Sequence, residues 1–220
     1  MVDAKAIDGR SMIRRRAGLR LWLSAGWLAV LCAVALLAPW IAPKDPLAQD
    51  LFLGRLPPAW VQGAEPGYWL GTDSLGRDVL SRIIHGARVA LTVALVAGTI
   101  TCLVGATLGL MAGFLRGWVD MVISRLIDIW MAFPPVLFSI LLIAVLGPGL
   151  MSIIIAIVVI DWTRFARVVR AEAMTQGAMD YVASARVAGR GRIGTMVREI
   201  LPNVLPTIVV LLTLEMGIAV

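Results

Sequence analysis

The chain has 220 residues, 60% of them hydrophobic and only 15% charged, with a formal net charge of +6. A soluble domain of this size exposes too much surface to hide so much apolar material, and so apolar a chain does not stay disordered. Both classes are excluded, and an all-α, polytopic transmembrane bundle is the expected fold.

Two cysteines, Cys32 and Cys102, both lie inside apolar runs, which excludes a disulfide scaffold and reads as packing. Neither Lys5 nor Lys44 sits in a phosphate-cradling Walker loop, so no ATPase is encoded here. His85 is the single histidine, with no second soft ligand beside it. No metal site, cofactor or catalytic residue is expected.

A spanning helix needs about 20 mostly apolar residues. The first such stretch is 21–42 and the second about 87–115. From Leu126 to Ile160 the chain is apolar for 35 residues, and Gly147-Pro148-Gly149 divides it. That predicts a helix over about 121–146, a tight turn, and a helix over about 150–169. Pro134 and Pro135 should kink or break the former, as a bend or as a gate feature. The fifth stretch is 201–220. It stops without a polar flank, so a sixth span is expected beyond Val220.

Basic residues set the orientation. The tail 1–20 carries six against two acids, the loop 116–125 carries Arg116 and Arg125 against Asp120, and 163–199 carries seven arginines against three acids. Segment 43–86 is balanced. Alternation puts every arginine-rich segment on the cytoplasmic side, with the N-terminus inside. The positive charge therefore reads as anchoring in the bilayer and not as nucleic-acid binding.

The external connection 43–86 is rich in proline and ends in Gly71-Thr72-Asp73-Ser74-Leu75-Gly76-Arg77-Asp78, then Ser81-Arg82. Thr72, Asp73 and Ser74 are good helix caps, and Asp78 with Arg82 is an i,i+4 pair. This predicts a capped amphipathic helix leading into the second span. The alternative is a docking surface for an external partner.

The connection 163–201 is too long for a simple turn, and loops of that length are usually functional. Ala178, Val182, Ala185 and Ala188 recur at helical spacing. Gly189 and Gly191 can end that helix in the left-handed conformation. Ile200-Leu201-Pro202 then restarts one, with Pro202 tolerated in its first turn. Such a helix, with small residues and a stiff exit into a span, suits a lever.

These residues resemble the coupling loop of ATP-binding-cassette importer permeases. The match comprises Asp180, Tyr181, Ala183, Ser184, Ala185, Gly189, Arg190 and Ile200-Leu201-Pro202, within a loop of about 170–200. Gly71, Thr72, Asp73, Gly76, Arg77, Asp78 and Arg82 resemble the segment before the second span in the C-type permeases of dipeptide, oligopeptide and nickel importers. Gly117-Trp118-Val119-Asp120, Arg125, Asp128, Phe133-Pro134 and Leu146-Gly147-Pro148-Gly149 are also similar. The resemblance covers nearly the whole chain from about residue 20.

The resemblance implies a permease core from 87 to the end of the chain. It implies a second permease subunit, ATPase subunits below, and a periplasmic binding protein delivering a peptide, a nickel complex or a similar solute across the bacterial inner membrane. The chain departs from the pattern once: Ala183 stands where the motif has glutamate, and Ser184 follows it. A charge-assisted contact of roughly 1.5–3 kcal/mol is thereby absent.

Three acids fall in or near spans. Asp161 is expected at the interface beside Arg164, and Asp128 is expected to pair locally with Arg125. Glu215 lies deepest; it lines the pathway or binds a partner helix. Two rival functions stand beside the importer: a transporter working without an ATPase, and a truncated or regulatory subunit that does not transport.

Overall fold

The computed structural model describes residues 18–219. Most of the basic tail, residues 1–17, lies outside them, as does Val220. The chain divides into two compact units, 1–88 and 89–220.

In the first unit, α1 (Leu19–Ile41) has Trp22 and Trp27 towards one end and Trp40 at the other, all exposed. Tryptophans at both ends of an apolar helix mark the two membrane–water boundaries. Only Ala35 and Ala38 of this helix are buried. The connection that follows is irregular and holds a single 3-10 turn at Leu51–Leu53, capped by Asp50. Its ends are tied together: the backbone N–H of Lys44 donates to Ser81 Oγ at 3.0 Å.

The amphipathic helix expected before the second span is not a separate element. Helix α2 (Val79–Leu115) is continuous for 37 residues, well beyond the about 20 that cross a bilayer. Nothing in 79–87 breaks it, so the interfacial residues form its first turns.

In the second unit, the predicted third helix is broken at Phe133-Pro134, as the prolines require. Helices α3 (Gly117–Met131) and α4 (Pro135–Leu146) meet at 86°. Gly147 and Gly149 then turn the chain with φ of +82° and +151°. Helix α5 (Leu150–Gln176) runs seven residues past its expected end. After it come α6 (Asp180–Val187), α7 (Arg192–Thr195), a π turn at Met196–Ile200, and α8 (Leu201–Ile218).

Helices α1, α2 and the run Arg192–Ile218 are each long and apolar enough to cross a membrane, and the bent α3–α4 pair makes a fourth candidate. Helix α5 falls short of that measure because Asp161, Arg164 and Arg167 follow directly on its apolar first turns. All five apolar stretches are thus helical, but their count as spans is three or four by length and composition. Among the described residues there is no strand, only one isolated bridge between Thr72 and Asp78.

Helix α5 organises the core of this unit. Gly105, Gly109 and Gly113 of α2 lie against it so closely that a Cβ would come within 2.4–2.5 Å of Trp162 O, Ala166 O and Arg170 O respectively. Small residues four apart let two helix backbones approach, the usual device in membranes. Phe114, Phe165, Val169, Ala173, Ile200 and Val204 fill the space beside this contact.

Candidate functional site

Helix α6 is short and has no side-chain cap at its start. It does carry Asp180 in its first turn and Arg186 in its last, each favourable to the helix dipole. Its end is well formed. Gly189 takes φ +82°, its N–H bonds Arg186 O at 3.0 Å, and the N–H of Arg190 bonds Ala185 O at 3.1 Å. This is the two-bond glycine ending of a helix. A Cβ on Gly189 would meet nothing within 4 Å, so the backbone angle alone calls for glycine. Gly191, by contrast, has an extended backbone and starts α7 instead of ending α6.

One side of α6 is held by the core. Val182 is fully buried among Phe114 of α2, Phe165, Val169 and Ala173 of α5, and Ile200 and Val204 at the start of α8. Tyr181 is half-buried and donates from its hydroxyl to Gln176 Oε1 at 2.8 Å. The opposite side is open: Ala183, Ser184 and Val187 are exposed, Val187 to 90%. Small residues at 183–185 leave that surface low.

The exit into α8 differs from expectation. Helical backbone does not restart at Ile200; it runs from Arg192 onward, and the π turn at Met196–Ile200 widens it just before Pro202. A proline ring collides with the carbonyl four residues earlier in an α-helix, and a wider turn relieves that collision. Ile200 is fully buried, and Leu201 packs against the same cluster as Val182. Arg190 is ion-paired with Glu199, and Asn203 Nδ2 donates to Glu199 O at 2.7 Å. The structure therefore brings Tyr181, Ile200 and Leu201 into one cluster with Val182, while Arg190 and Pro202 stay exposed and Arg190 is held to this segment by Glu199. The sequence reading missed Glu199 and Asn203: the two are four residues apart, but Arg190 lies nine residues before Glu199, across the break between α6 and α7.

The acidic residues find distant partners. Arg164, Arg167 and Arg170, one every three residues on α5, reach three different carboxylates. Arg164 bonds both oxygens of Glu215 on α8 at 3.2 and 3.0 Å, with Asp161 3.9 Å away. Arg167 reaches Asp128 of α3 at 3.4 Å. Arg170 is forked onto Asp120 of α3, with Nη2 to Oδ2 at 2.8 Å. Asp128 thus does not pair with Arg125 as expected. The buried face of α3, Ile123 and Ile127, packs on Trp162 and Ala166 of α5, and that packing puts Arg167 within reach. Glu215 is 3% exposed and bonded within this chain. Pro134 caps the break between α3 and α4.

In the first unit, the residues of the external motif hold one another. Asp73 accepts from the backbone N–H of Leu75 at 2.9 Å and of Arg77 at 3.0 Å, and from Arg77 Nε at 2.8 Å. It also accepts from Arg82, which therefore pairs with Asp73 and not with Asp78. Burial by itself would raise the Asp73 carboxyl, but these donors, Arg77 foremost, hold it down to about 2. The helix cap is Asp78, 2% exposed, whose Oδ2 accepts from the N–H of Ser81 at 2.9 Å. Asp73 is kept from that role because the Thr72–Asp78 bridge turns the chain before the helix begins. Thr72 accepts from Leu56 N–H at 2.8 Å and donates to Leu53 O. Gly71 and Gly76 take φ of +74° and +71°, where a Cβ would strike Leu56 O and Asp50 O. The motif is a clasp on its own loop.

Among the described residues no group of three or more His, Cys, Asp or Glu side chains is placed to hold a metal ion.

The family model for the binding-protein-dependent transport system inner membrane component matches residues 105–220. The chain is 40% identical to a dipeptide transport system permease protein of Haemophilus influenzae, over 88% of this chain and 65% of that protein. It is 42% identical to a di/tripeptide transport system permease protein of Pseudomonas aeruginosa, over 88% and 63%. It is 34% identical to the nickel transport system permease protein of Escherichia coli K12, over 86% and 66%. The chain spans just under two thirds of the length of these relatives. The match takes in α6, its seat on α5 and α8, and the clasp before α2, so the chain belongs to the binding-protein-dependent transport system inner membrane component family.

Proposed function

We propose that this chain is a permease subunit of an ATP-driven importer, and that it moves peptides or a similar small solute, nickel complexes included. A periplasmic binding protein delivers the solute, a second permease completes the pathway, and ATPase subunits bind from the cytoplasm. The N-terminus is cytoplasmic, as the distribution of arginines supports. No covalent chemistry takes place on this chain; hydrolysis belongs to the partners.

The observation that carries this reading is the seating of α6. Its exposed side, Ala183, Ser184 and Val187, is free to enter a groove on another subunit. Its buried side, Val182, shares one cluster with Ile200 and Val204. A push on α6 is therefore passed to α8 through packed side chains, and α8 is tied to α5 by Arg164 and Glu215. Rigid-body movement of packed helices is the usual currency of such switches. Of the residues matching the coupling loop, the exposed Ala183 and Ser184 belong to the docking surface, and Tyr181, Ile200 and Leu201 pass its movement inward; Asp128, Pro134 and Glu215 are helix-packing positions beside the pathway.

The test is Ala183→Glu in the full-length protein with its partners. Restoring the charged contact should tighten ATPase binding by about 10-fold or more, as roughly 1.5–3 kcal/mol implies. Unchanged binding and unchanged ATPase stimulation, together with full transport by Gly189→Trp, would remove α6 from the coupling role.

A further inference from the structure

We propose that a cavity between the end of α2 and helix α6 binds the phosphate headgroup of an anionic phospholipid. The cavity holds about 510 Å³, and Arg116, Arg186 and Arg192 line it beside Phe114 and Leu115. No acidic residue lines it. Among the described residues, none of these three guanidinium groups has a carboxylate within ion-pair distance. Asp120, four residues on from Arg116, is held by Arg170 instead. The contrast with α5 is direct, since Arg164, Arg167 and Arg170 each hold a carboxylate.

The three arginines come from three places: the α2–α3 connection, the last turn of α6 and the start of α7. Arg186 lies over the Phe114 ring at 5.2 Å, and Arg116 reaches only the carbonyl of Met174, at 3.5 Å. Arg116 also holds a left-handed backbone, φ +55°, where a non-glycine residue is strained. Like charges gathered around one cavity repel unless an anion joins them. A phosphate diester, with its acceptor oxygens, suits guanidinium donors.

The bilayer is the nearer source of that phosphate. Directly after Arg116, α3 exposes Trp118, Met121 and Val122. An exposed tryptophan on an apolar helix face belongs at the membrane–water boundary, and basic pockets between helices on the cytoplasmic side take acidic lipid headgroups. The acyl chains would lie along that face of α3. The inference rests on the cavity and its place at the boundary, and not on transport or coupling, so it stands or falls separately from the function proposed above.

The experiment uses the full-length protein with its partner subunits in neutral detergent, with dioleoylphosphatidylglycerol or dioleoylphosphatidylcholine added in mixed micelles. Thermal unfolding and the lipid retained in native mass spectrometry are the two readouts. Phosphatidylglycerol should raise the midpoint and be retained, and phosphatidylcholine should do neither. Arg116→Gln, Arg186→Gln and Arg192→Gln should each weaken that response about fivefold, the factor for about 1 kcal/mol per basic residue at an anionic surface. The Arg→Lys variants at these positions, which keep fold and charge, should lose less. Arg198→Gln, an exposed arginine outside the cavity, should leave the response intact. Equal loss in Arg198→Gln would reduce the effect to general charge and overturn the site. A midpoint shift from inorganic phosphate that phosphatidylglycerol does not improve would assign the cavity to a free anion. Loss of the ATPase subunits with the lipid response intact would assign it to a protein partner. Either result overturns the proposal.

Discussion

Glu215 of α8 is almost wholly buried, and Arg164 of α5 is bonded to both of its oxygens, the nearer at 3.0 Å. The helix that follows α6 and α7 is thereby tied to the helix that organises the core. A carboxylate at that depth is tolerated because it is paired.

Removing the arginine should harm the protein more than removing the acid. Arg164→Ala leaves a buried carboxylate without its partner and should cost about 3 kcal/mol. Glu215→Gln leaves only an exposed arginine and should cost less. The double variant Arg164→Met/Glu215→Leu should regain most of the loss. Thermal unfolding of the three proteins in detergent checks the order; an Arg164→Ala protein as stable as Glu215→Gln would contradict it.

The glycines of α2 should differ sharply in what they accept. Gly109→Ala places a methyl 2.5 Å from a backbone carbonyl that cannot yield, and should cost about 1–3 kcal/mol through displacement of α5. Gly113→Ala should behave alike. Gly98→Ala meets side chains and no backbone, Met216 at 3.2 Å and Leu212 at 3.6 Å, and should be mild. Gly26→Ala meets nothing within 4 Å and should be silent. Expression and unfolding midpoints across the four give the comparison.

If α6 has the coupling role proposed above, Val182→Ala should uncouple before it unfolds. The lost methyl groups and the space they leave cost about 2 kcal/mol locally. Assembly with the ATPase should survive, since the outer side of α6 is untouched, while stimulation of ATP hydrolysis falls. Co-purification paired with an ATPase assay separates the two; equal loss of both would mean that Val182 supports only the fold.

The Asp73 clasp should respond to acid in a narrow window. Its carboxyl is lowered from 3.8 to about 2 in the folded loop. A lowered value means stabilisation that is full above about pH 4 and is lost as pH falls through about 2. The fluorescence of Trp69, on the same loop, should report loosening only in that range, and Asp73→Asn should flatten the response. Loosening complete by pH 4 in the unaltered protein would show that the clasp is not what holds the loop.

The resemblance of the coupling loop was legible because its signals are local: helical spacing of small residues, a glycine after them, a proline at the next start. The break at Pro134 and the turn at Gly147–Gly149 were legible for the same reason. The partners of Asp128 and Glu215 were not. Each lies 39 or 51 residues from its arginine, and nothing in the sequence ranks Arg125 below Arg167. The arginines of α5 read as solvated anchors because charge counts locate a membrane side, not a carboxylate. Gly105, Gly109 and Gly113 did carry a readable spacing, but only the packing shows that α5 is what they admit.

The sequence by itself determined the class of this protein. Apolar runs of bilayer length cannot stay in water, prolines and glycines break helices wherever they occur, and a positive-φ helix ending needs glycine whatever surrounds it. These are properties of a residue and its near neighbours. Only the tertiary structure decided which helices touch, and hence that Val182 links α6 to α8, that Arg164 reaches Glu215, and that three arginines face one cavity without an acid. Contacts between distant residues depend on the rotation and crossing of whole helices, which are fixed by the sum of many side chains and not by any one of them.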